Sequence, residues 1–586
     1  MRSKLWKPQL SNYFESLKAK SSSVYRLRYF RKWSIVAGLT GTLAGLGAIA
    51  FNYILLKSIY FFQNAKEVLP SPWLIVLIPA FGGLMCGIIK YVFTPESFEK
   101  SCGTDAMIDA VHSENGKVKT RMPFITLLTA SLTIGSGGSC GRESPTAYIG
   151  MGFGSITWDI IKKLKLEKIF NFTLDKADRK IIAICGASSG LGAIFRAPLG
   201  GAIFNTEVLY IYGMELEGIY PAIISSITSY LLFSLAYGFE PLFKVATSWI
   251  FNFPDLFFCI IAGFIASLIG IIYIKVFFST FHLFRASKLP DYLKPAIGGL
   301  LMGLIVLRFP EVWGMGYETI QKVINNEIVF WSILILIIAK ILATSFTVGS
   351  GGTGGLIAPS IFIGALIGGA LGMIYQSLFP GIATHYTLYV VIGMGAFYAA
   401  IGKVPLSFTL MLCEALRNFS IILPLSAACT AGYLISGYFT IYESQHADST
   451  KEKQDVLRNL FAYEVMQEKV ETISSNLTIM DSLKKFGTST YKSFPVVENN
   501  VLVGIVTYDD VRAIPYNKRN EVLVSDVMTK DIIYIFPEDT ARTALDSISQ
   551  KGVGRVLVVD PEDNKKLLGI VTRTDIVDAY EKLLIG

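Results

Sequence analysis

Charged side chains are scarce in this 586-residue chain: 53 basic and 45 acidic residues make up 17%, against about 25% in an ordinary soluble protein. With 52% hydrophobic residues and a mean hydropathy of +0.49, that charge cannot cover one water-soluble globule. Histidine is rarer still. His112, His282, His385 and His446 stand far apart, as do the seven cysteines, Cys86, Cys102, Cys140, Cys185, Cys259, Cys413 and Cys429. Such spacing matches neither a metal site nor a disulfide framework, so no metal is expected. The apolar region has no nucleophile grouped with a base, which argues against an enzyme. It also has no cluster of acidic residues, which leaves a magnesium or other cation transporter as a remote alternative.

What charge there is falls unevenly. Residues 450–586 hold 18 basic and 21 acidic side chains, so the overall +8 divides into about +11 for the apolar part and about −3 for the tail. An acidic tail weighs against nucleic acid as a partner. The basic excess gathers at the start, where Arg2, Lys4, Lys7, Lys18, Lys20, Arg26, Arg28, Arg31 and Lys32 face only Glu15. By the positive-inside rule this segment, residues 1–32, is cytoplasmic. No short apolar run with a cleavage site precedes the first long one, which is therefore expected to be a retained span. An integral multi-pass protein of the cell membrane, in contact with lipid and with both termini in the cytoplasm, is the expectation.

Five runs are long enough to cross about 30 Å of hydrocarbon: Ile35–Leu56, Trp73–Phe93, Leu256–Phe278, Trp331–Val348 and Tyr386–Ile401. Stretches around 122–134, 146–161, 181–195, 199–212 and 405–416 are interrupted by Gly, Pro or a charge. Backbone can leave a helix inside a membrane only where protein or water satisfies it, so broken helices point to an internal polar site.

Two of these stretches occur twice. Thr133–Gly154 (TIGSGGSCGRESPTAYIGMGFG) and Thr347–Gly368 (TVGSGGTGGLIAPSIFIGALIG) share ten of twenty-two positions without a gap. Gly186–Leu209 resembles the segment from Gly393, with Pro198 matching Pro405 and Glu207 matching Glu414. The apolar part is thus a duplicated unit, with repeats at about 33–240 and 247–445. Duplicated transporters commonly pair their halves in inverted topology around a midplane site.

The glycines of the first repeated loop permit turns with unpaired N–H groups, and Pro145 suits the first turn of a new helix. A helix N-terminus carries about half a positive charge and free amides, so two such termini converging from the two halves suit a small anion. A weakly held ion is also what conduction requires. Glu143 lies in the loop, and a carboxylate at membrane depth is functional or paired. Either it pairs locally with Arg142, or its carboxylate occupies an anion position and leaves on protonation, which would make it a gate.

From about residue 453 the pattern turns to soluble α/β. Phe494–Val511 (FPVVENNVLVGIVTYDDV) recurs as Val556–Ile576 (VLVVDPEDNKKLLGIVTRTDI), each preceded by a helical run and a Val-Met element, Val465-Met466 and Val527-Met528. This resembles a tandem pair of cystathionine-β-synthase-type (CBS) domains, 460–515 and 523–584, after a linker at 446–459. In that family a Ser/Thr-x-Ser/Thr-Asp turn after the GIV strand meets adenosine ligands. Thr572, Thr574 and Asp575 match that turn; Thr507 and Asp510 match it in part, with Asp509 at the third position. An adenine nucleotide is the implied ligand, and a bare dimerisation scaffold is the alternative.

The loops resemble those of the CLC chloride channel and transporter family, and the resemblance extends over the whole chain. Gly141-Arg142-Glu143-Ser144-Pro145 matches its GREGP element with Ser144 for Gly, and Gly355-Leu356-Ile357-Ala358-Pro359 its GxFxP element with Ile357 for Phe. The implied fold is an all-α polytopic membrane domain, a CLC-like inverted repeat of broken and re-entrant helices over 33–445, followed by the α/β tandem CBS domain. The implied function is a homodimeric channel selective for chloride among small inorganic anions, gated by Glu143 and modulated by the CBS pair. Gly141, Arg142, Leu356, Ile357 and Tyr442 fall at chloride-contacting positions. The family's GSGIP element aligns with Ser101-Cys102-Gly103-Thr104-Asp105, which puts Cys102 at the serine position, with Ser101 as the substitute. A thiol is the weaker donor. Val208 stands where proton-coupled members carry an inner glutamate, which favours passive conduction over the alternative, a chloride/proton antiporter.

Overall fold

A computed structural model describes residues 7–68, 71–95, 102–245, 253–382, 385–448, 457, 460–489, 491–551 and 553–585. The chain divides into two compact units, Met1–Ala447 and Asp448–Gly586.

The first half of the first unit runs through α1 (Lys7–Val68), α2 (Leu77–Phe93), α3 (Gly103–Ser113), α4 (Met122–Gly135), α5 (Glu143–Lys163), the single turn α6 (Leu166–Ile169), α7 (Lys176–Phe195), α8 (Pro198–Glu207) and α9 (Leu216–Tyr237). The second half follows with α10 (Phe253–Ala286), α11 (Lys294–Arg308), α12 (Tyr317–Ile324), α13 (Phe330–Gly349), α14 (Ile357–Leu378), α15 (Tyr386–Gly402), α16 (Pro405–Leu416) and α17 (Ile422–Ile435).

Six helices among the described residues are long and apolar enough to span a membrane: Tyr29–Val68 within α1, Trp73–Phe93, α9, α10, α13 and α14. One expected span drops out and two unexpected ones join. Tyr386–Ile401 becomes the 17-residue α15, which is buried along most of its length, whereas α9 and α14 run for 22 residues each. Glycine and proline disguise α14 in the sequence, because Pro359 sits in its first turn and its glycines lie at helix contacts. At about 1.5 Å per residue the 34-residue α10 exceeds the hydrocarbon thickness, so it tilts or projects beyond it.

The two halves contact each other through matched positions. Gly141 and Gly355, ninth in each copy of the repeated loop, exchange both backbone hydrogen bonds at 2.8 Å. The Ser139 N–H donates to Thr347 Oγ1 (3.1 Å), and the Thr353 N–H to Thr133 Oγ1 (3.3 Å), again a matched pair. Glu414 accepts from the Leu199 and Gly200 N–H groups at the start of α8. Glu207 accepts from Leu406 and Ser407 at the start of α16. Each carboxylate thus caps the helix of the opposite half, where the dipole favours an anion.

A third matched pair was not read from the sequence. α2 and α11 share the pattern Pro-Ala-x-Gly-Gly-Leu, at Pro79–Leu84 and Pro295–Leu300. A Cβ on Gly83 would lie 2.2 Å from the Pro295 carbonyl, and one on Gly299 2.2 Å from the Pro79 carbonyl. Backbones this close exclude any other residue at either position.

Arg196 and Lys403 close the halves at matched turns. Both adopt φ +60° directly after α7 and α15. Arg196 donates to the carbonyls of Tyr237 (3.2 Å) and Glu240 beyond α9, and Lys403 to Ser436 Oγ (2.5 Å) and the Gly437 carbonyl (2.6 Å) beyond α17. A cation at a helix C-terminus meets unpaired carbonyls and the negative end of the dipole.

In the second unit, Ile473–Ser474 pairs in parallel with Ser493–Glu498, which pairs antiparallel with Val501–Thr507. Tyr534–Ile535, Arg555–Val559 and Leu567–Thr572 repeat that order. The Val-Met elements are exchanged between the two sheets. A Cβ on Gly569 would meet Met466 Sδ at 2.6 Å, and one on Gly504 would meet Met528 Sδ at 2.7 Å. Leu460, Ala462 and Val465 accordingly belong to the apolar core around Val556, Val558 and Val571.

Candidate anion-binding site

The paired glycines bring the first turns of α5 and α14 together. Gly137 and its counterpart Gly351 turn the two loops at φ +97° and +101°, a region that side chains disfavour. The first turn of α3 joins them, since a Cβ on Gly103 would stand 3.1 Å from the Ser144 carbonyl oxygen. Three helix N-termini therefore converge, each with unpaired amides and a partial positive charge. The turn bearing Tyr442 is tied to the same place: the Ser444 N–H donates to Asp105 Oδ1 in α3 (2.9 Å), and the Ile441 N–H to the Ile401 carbonyl (2.9 Å).

Glu143 is buried at the first position of α5. Its Oε1 accepts a hydrogen bond from Tyr317 Oη of α12. Its Oε2 makes no hydrogen bond of good geometry among the described residues, and the Ala358 N–H of α14 is a backbone donor beside the carboxylate. A Cβ on Gly141 would lie 2.2 Å from that oxygen and 3.0 Å from the Ala358 backbone nitrogen, so the carboxylate faces the first turn of α14. Arg142 does not pair with it. The guanidinium Nη1 donates instead to Asn52 Oδ1 of α1 (2.9 Å), and the guanidinium carbon lies 5.7 Å from the centre of the Tyr317 ring. The expected alternative of a local Arg142–Glu143 pair is therefore not the arrangement found. Tyr317 and Asn52 were not singled out in the sequence, where neither carries a repeat or motif.

Leu356 and Ile357, both buried, form the cap and first residue of α14. Cys102 is buried at the cap of α3. Ser101 lies outside the described residues. Tyr442 is wholly buried, and its Oη lies 2.6 Å from the Oη of Tyr398, another fully buried residue that the sequence did not mark. Cys102 is an electrostatic neighbour of both hydroxyls, and Glu143 of Tyr398. A cavity of about 510 Å³ adjoins Cys102 and Gly103, lined also by Thr126, Thr129, Thr353 and Lys90.

Val208 caps the end of α8, fully buried, and its carbonyl accepts from Gln445 Nε2 (2.8 Å), three residues beyond Tyr442. Glu207 is committed to the α16 cap, where it also accepts from Ser407 Oγ (2.5 Å). Two histidines isolated in the sequence meet in space: the His112 and His446 rings stack with centroids 3.7 Å apart. Among the described residues no three His, Cys, Asp or Glu side chains are grouped so as to hold a metal.

In the second unit the expected nucleotide residues cap helices. Asp575 Oδ2 accepts from the Thr572 N–H (2.8 Å) and Oγ1 (2.6 Å), and its Oδ1 from Gln467 Nε2 (2.7 Å). Asp510 caps in the same way through Thr507 (2.9 and 2.7 Å). Thr574 is exposed.

Comparison with known proteins agrees with this architecture. The family model described as voltage gated chloride channel matches residues 81–437, and the CBS domain model matches 462–516 and 524–582. An uncharacterized protein of Methanocaldococcus jannaschii is 31% identical over 412 residues, covering 70% of this chain and 95% of its own. The voltage-gated ClC-type chloride channel ClcB of Salmonella typhimurium is 27% identical over 411 residues, covering 69% and 95%. Among solved structures, a eukaryotic CLC transporter superposes with a TM-score of 0.61 at 18% identity, covering 94% of this chain and 98% of that one. A slow cyanobacterial Cl⁻/H⁺ antiporter gives 0.59 at 23%, covering 69% and 93%. With its paired loops, converging helix ends and matched family model, the chain belongs to the CLC family of voltage-gated chloride channels and anion transporters, and carries two CBS domains after the membrane part.

Proposed function

We propose that this protein is a chloride channel in which Glu143 is the gate. The observation that carries the reading is the position of its carboxylate: one oxygen is held by Tyr317, and the other faces the first-turn amides of α14 from the opposite repeat. A negative group there occupies a place suited to an anion. Protonation would remove the competing charge, and chloride could then pass between the ends of α3, α5 and α14 toward Cys102 and Tyr442. The amides of Arg142, Leu356 and Ile357 supply donors without a trapping cation, whereas the Gly141 N–H is committed to the Gly355 carbonyl.

Passive conduction is preferred over proton exchange because Val208 offers no proton site and Glu207 is occupied by three hydrogen bonds from Leu406 and Ser407. Residues 33–445 form the transport domain in this reading, which works as a homodimer in the cell membrane with both termini cytoplasmic. The CBS domains, 460–515 and 523–584 after the 446–459 linker, modulate it through an adenine nucleotide. Purified full-length protein in vesicles tests the mechanism. Under an imposed chloride gradient, chloride should move with no uphill movement of protons, and a fixed chloride-to-proton ratio would replace the channel with an antiporter.

A further inference from the structure

We infer that Tyr398 is a specificity-determining residue that fixes the direction of the Tyr442 hydroxyl and so sets which anions the inner part of the pathway prefers. The inference rests on the reading of Tyr442 as an anion ligand and adds to it a residue that no motif marks.

Tyr398 and Tyr442 are fully buried with their oxygens 2.6 Å apart, and the Thr104 hydroxyl stands beside Tyr442 as a further donor. Two hydroxyls carry two protons, and their mutual bond uses one. One proton remains, and its direction depends on which ring donates. If Tyr398 donates to Tyr442, the Tyr442 proton points away from the pair, and accepting a bond makes that O–H a stronger donor.

Thr104 acts on Tyr442 as a donor, which takes up a lone pair and leaves the surplus proton uncommitted. Thr104 Oγ1 and Tyr273 Oη are buried, and neither makes a hydrogen bond of good geometry among the described residues. Thr104 neighbours Tyr442, and Tyr273 neighbours both Cys102 and Tyr398. Buried donors are ordinarily satisfied, so uncommitted hydroxyls converging beside three helix N-termini point to an acceptor that is itself an anion. Tyr398 is also held in place. Its ring packs against Phe408 (centroids 4.5 Å apart) and stacks on Phe204 (6.2 Å), one aromatic from each half. The rigid phenol replaces, through Tyr442, the strong donor that the thiol of Cys102 does not supply. A directed O–H favours compact, charge-dense anions such as chloride over diffuse ones such as thiocyanate.

The test compares full-length wild type with Tyr398→Phe, Tyr442→Phe and the double variant, using chloride titration calorimetry and the chloride-to-thiocyanate flux ratio in vesicles. Tyr398→Phe keeps the ring and its packing. It should weaken chloride binding by about three- to tenfold and lower the flux ratio, and the double variant should be no worse than Tyr442→Phe. Unchanged binding and ratio in Tyr398→Phe, with both altered in Tyr442→Phe, would overturn this inference alone. Silence from both variants would overturn the reading of Tyr442 as well. Should Tyr398→Phe fail to fold, bromide-soaked crystals of the wild type decide. Anomalous density within about 3.5 Å of Tyr442 Oη supports the inference, and bromide touching neither tyrosine overturns it.

Discussion

The hydroxyl of Tyr317 donates to the Glu143 carboxylate across 174 residues of sequence, and in doing so ties a short helix of the second half to the first turn of a helix in the first. Tyr317 is itself held, with the Arg142 guanidinium over its ring and Phe243 packed edge-on at 5.5 Å. The loop leading to it is anchored by the fully buried Lys340, whose Nζ donates to the carbonyls of Val312 (3.0 Å) and Gly314 (2.9 Å). The proposed gate is therefore latched from outside its own repeat.

Removing the charge should open the pathway. Glu143→Gln and Glu143→Ala are expected to raise chloride flux, and to abolish the rise with acidification expected of the wild type as protons neutralise the carboxylate. Flux measured from pH 4.5 to 8 checks this; a mutant with wild-type pH dependence counts against Glu143 as the gate.

Removing the latch should act in the same direction and more weakly. A hydrogen bond to a charged group contributes about 1.5–3 kcal/mol, so Tyr317→Phe should shift the closed-to-open balance by roughly ten- to a hundredfold while the pH dependence persists. Single-channel or efflux recordings of the variant would expose an error if activity fell instead.

The reciprocal caps should show in stability. Each carboxylate satisfies two backbone N–H groups at a helix start, and Glu207 takes a hydroxyl as well. Replacement by Gln is expected to cost about 1–2 kcal/mol at Glu414 and more at Glu207. Thermal unfolding of the solubilised variants reads the order, and equal losses would contradict it.

For the CBS pair, ATP or AMP should raise the unfolding temperature of the wild-type protein, with a smaller rise in Asp575→Ala. Because Asp575 already accepts three hydrogen bonds, from Thr572 and Gln467, binding must compete with the cap. Silence from both proteins would favour a scaffold.

The sequence made the site legible where chemistry is repeated or out of place. The doubled GSGG loops pointed to Gly141 and Gly355, and a carboxylate at membrane depth pointed to Glu143. The Val-Met elements were visible too, though not their exchange between sheets, because a linear boundary cannot show which strand a methionine packs on. Tyr317, Asn52 and Tyr398 were illegible for a different reason. Each is an ordinary residue whose meaning comes from a partner 44 to 174 positions away. The α2–α11 pair is plain in the sequence as Pro-Ala-x-Gly-Gly-Leu, but its Gly-Gly is short beside the longer repeat.

The exchanged glutamates also set a timetable for synthesis. The amides of Leu199 and Gly200 wait for Glu414, made 215 and 214 residues later. At about 5–20 residues per second that delay is on the order of ten to forty seconds. For that interval the first half sits in the bilayer with an uncapped helix start that only water, lipid headgroups or the insertion machinery can satisfy.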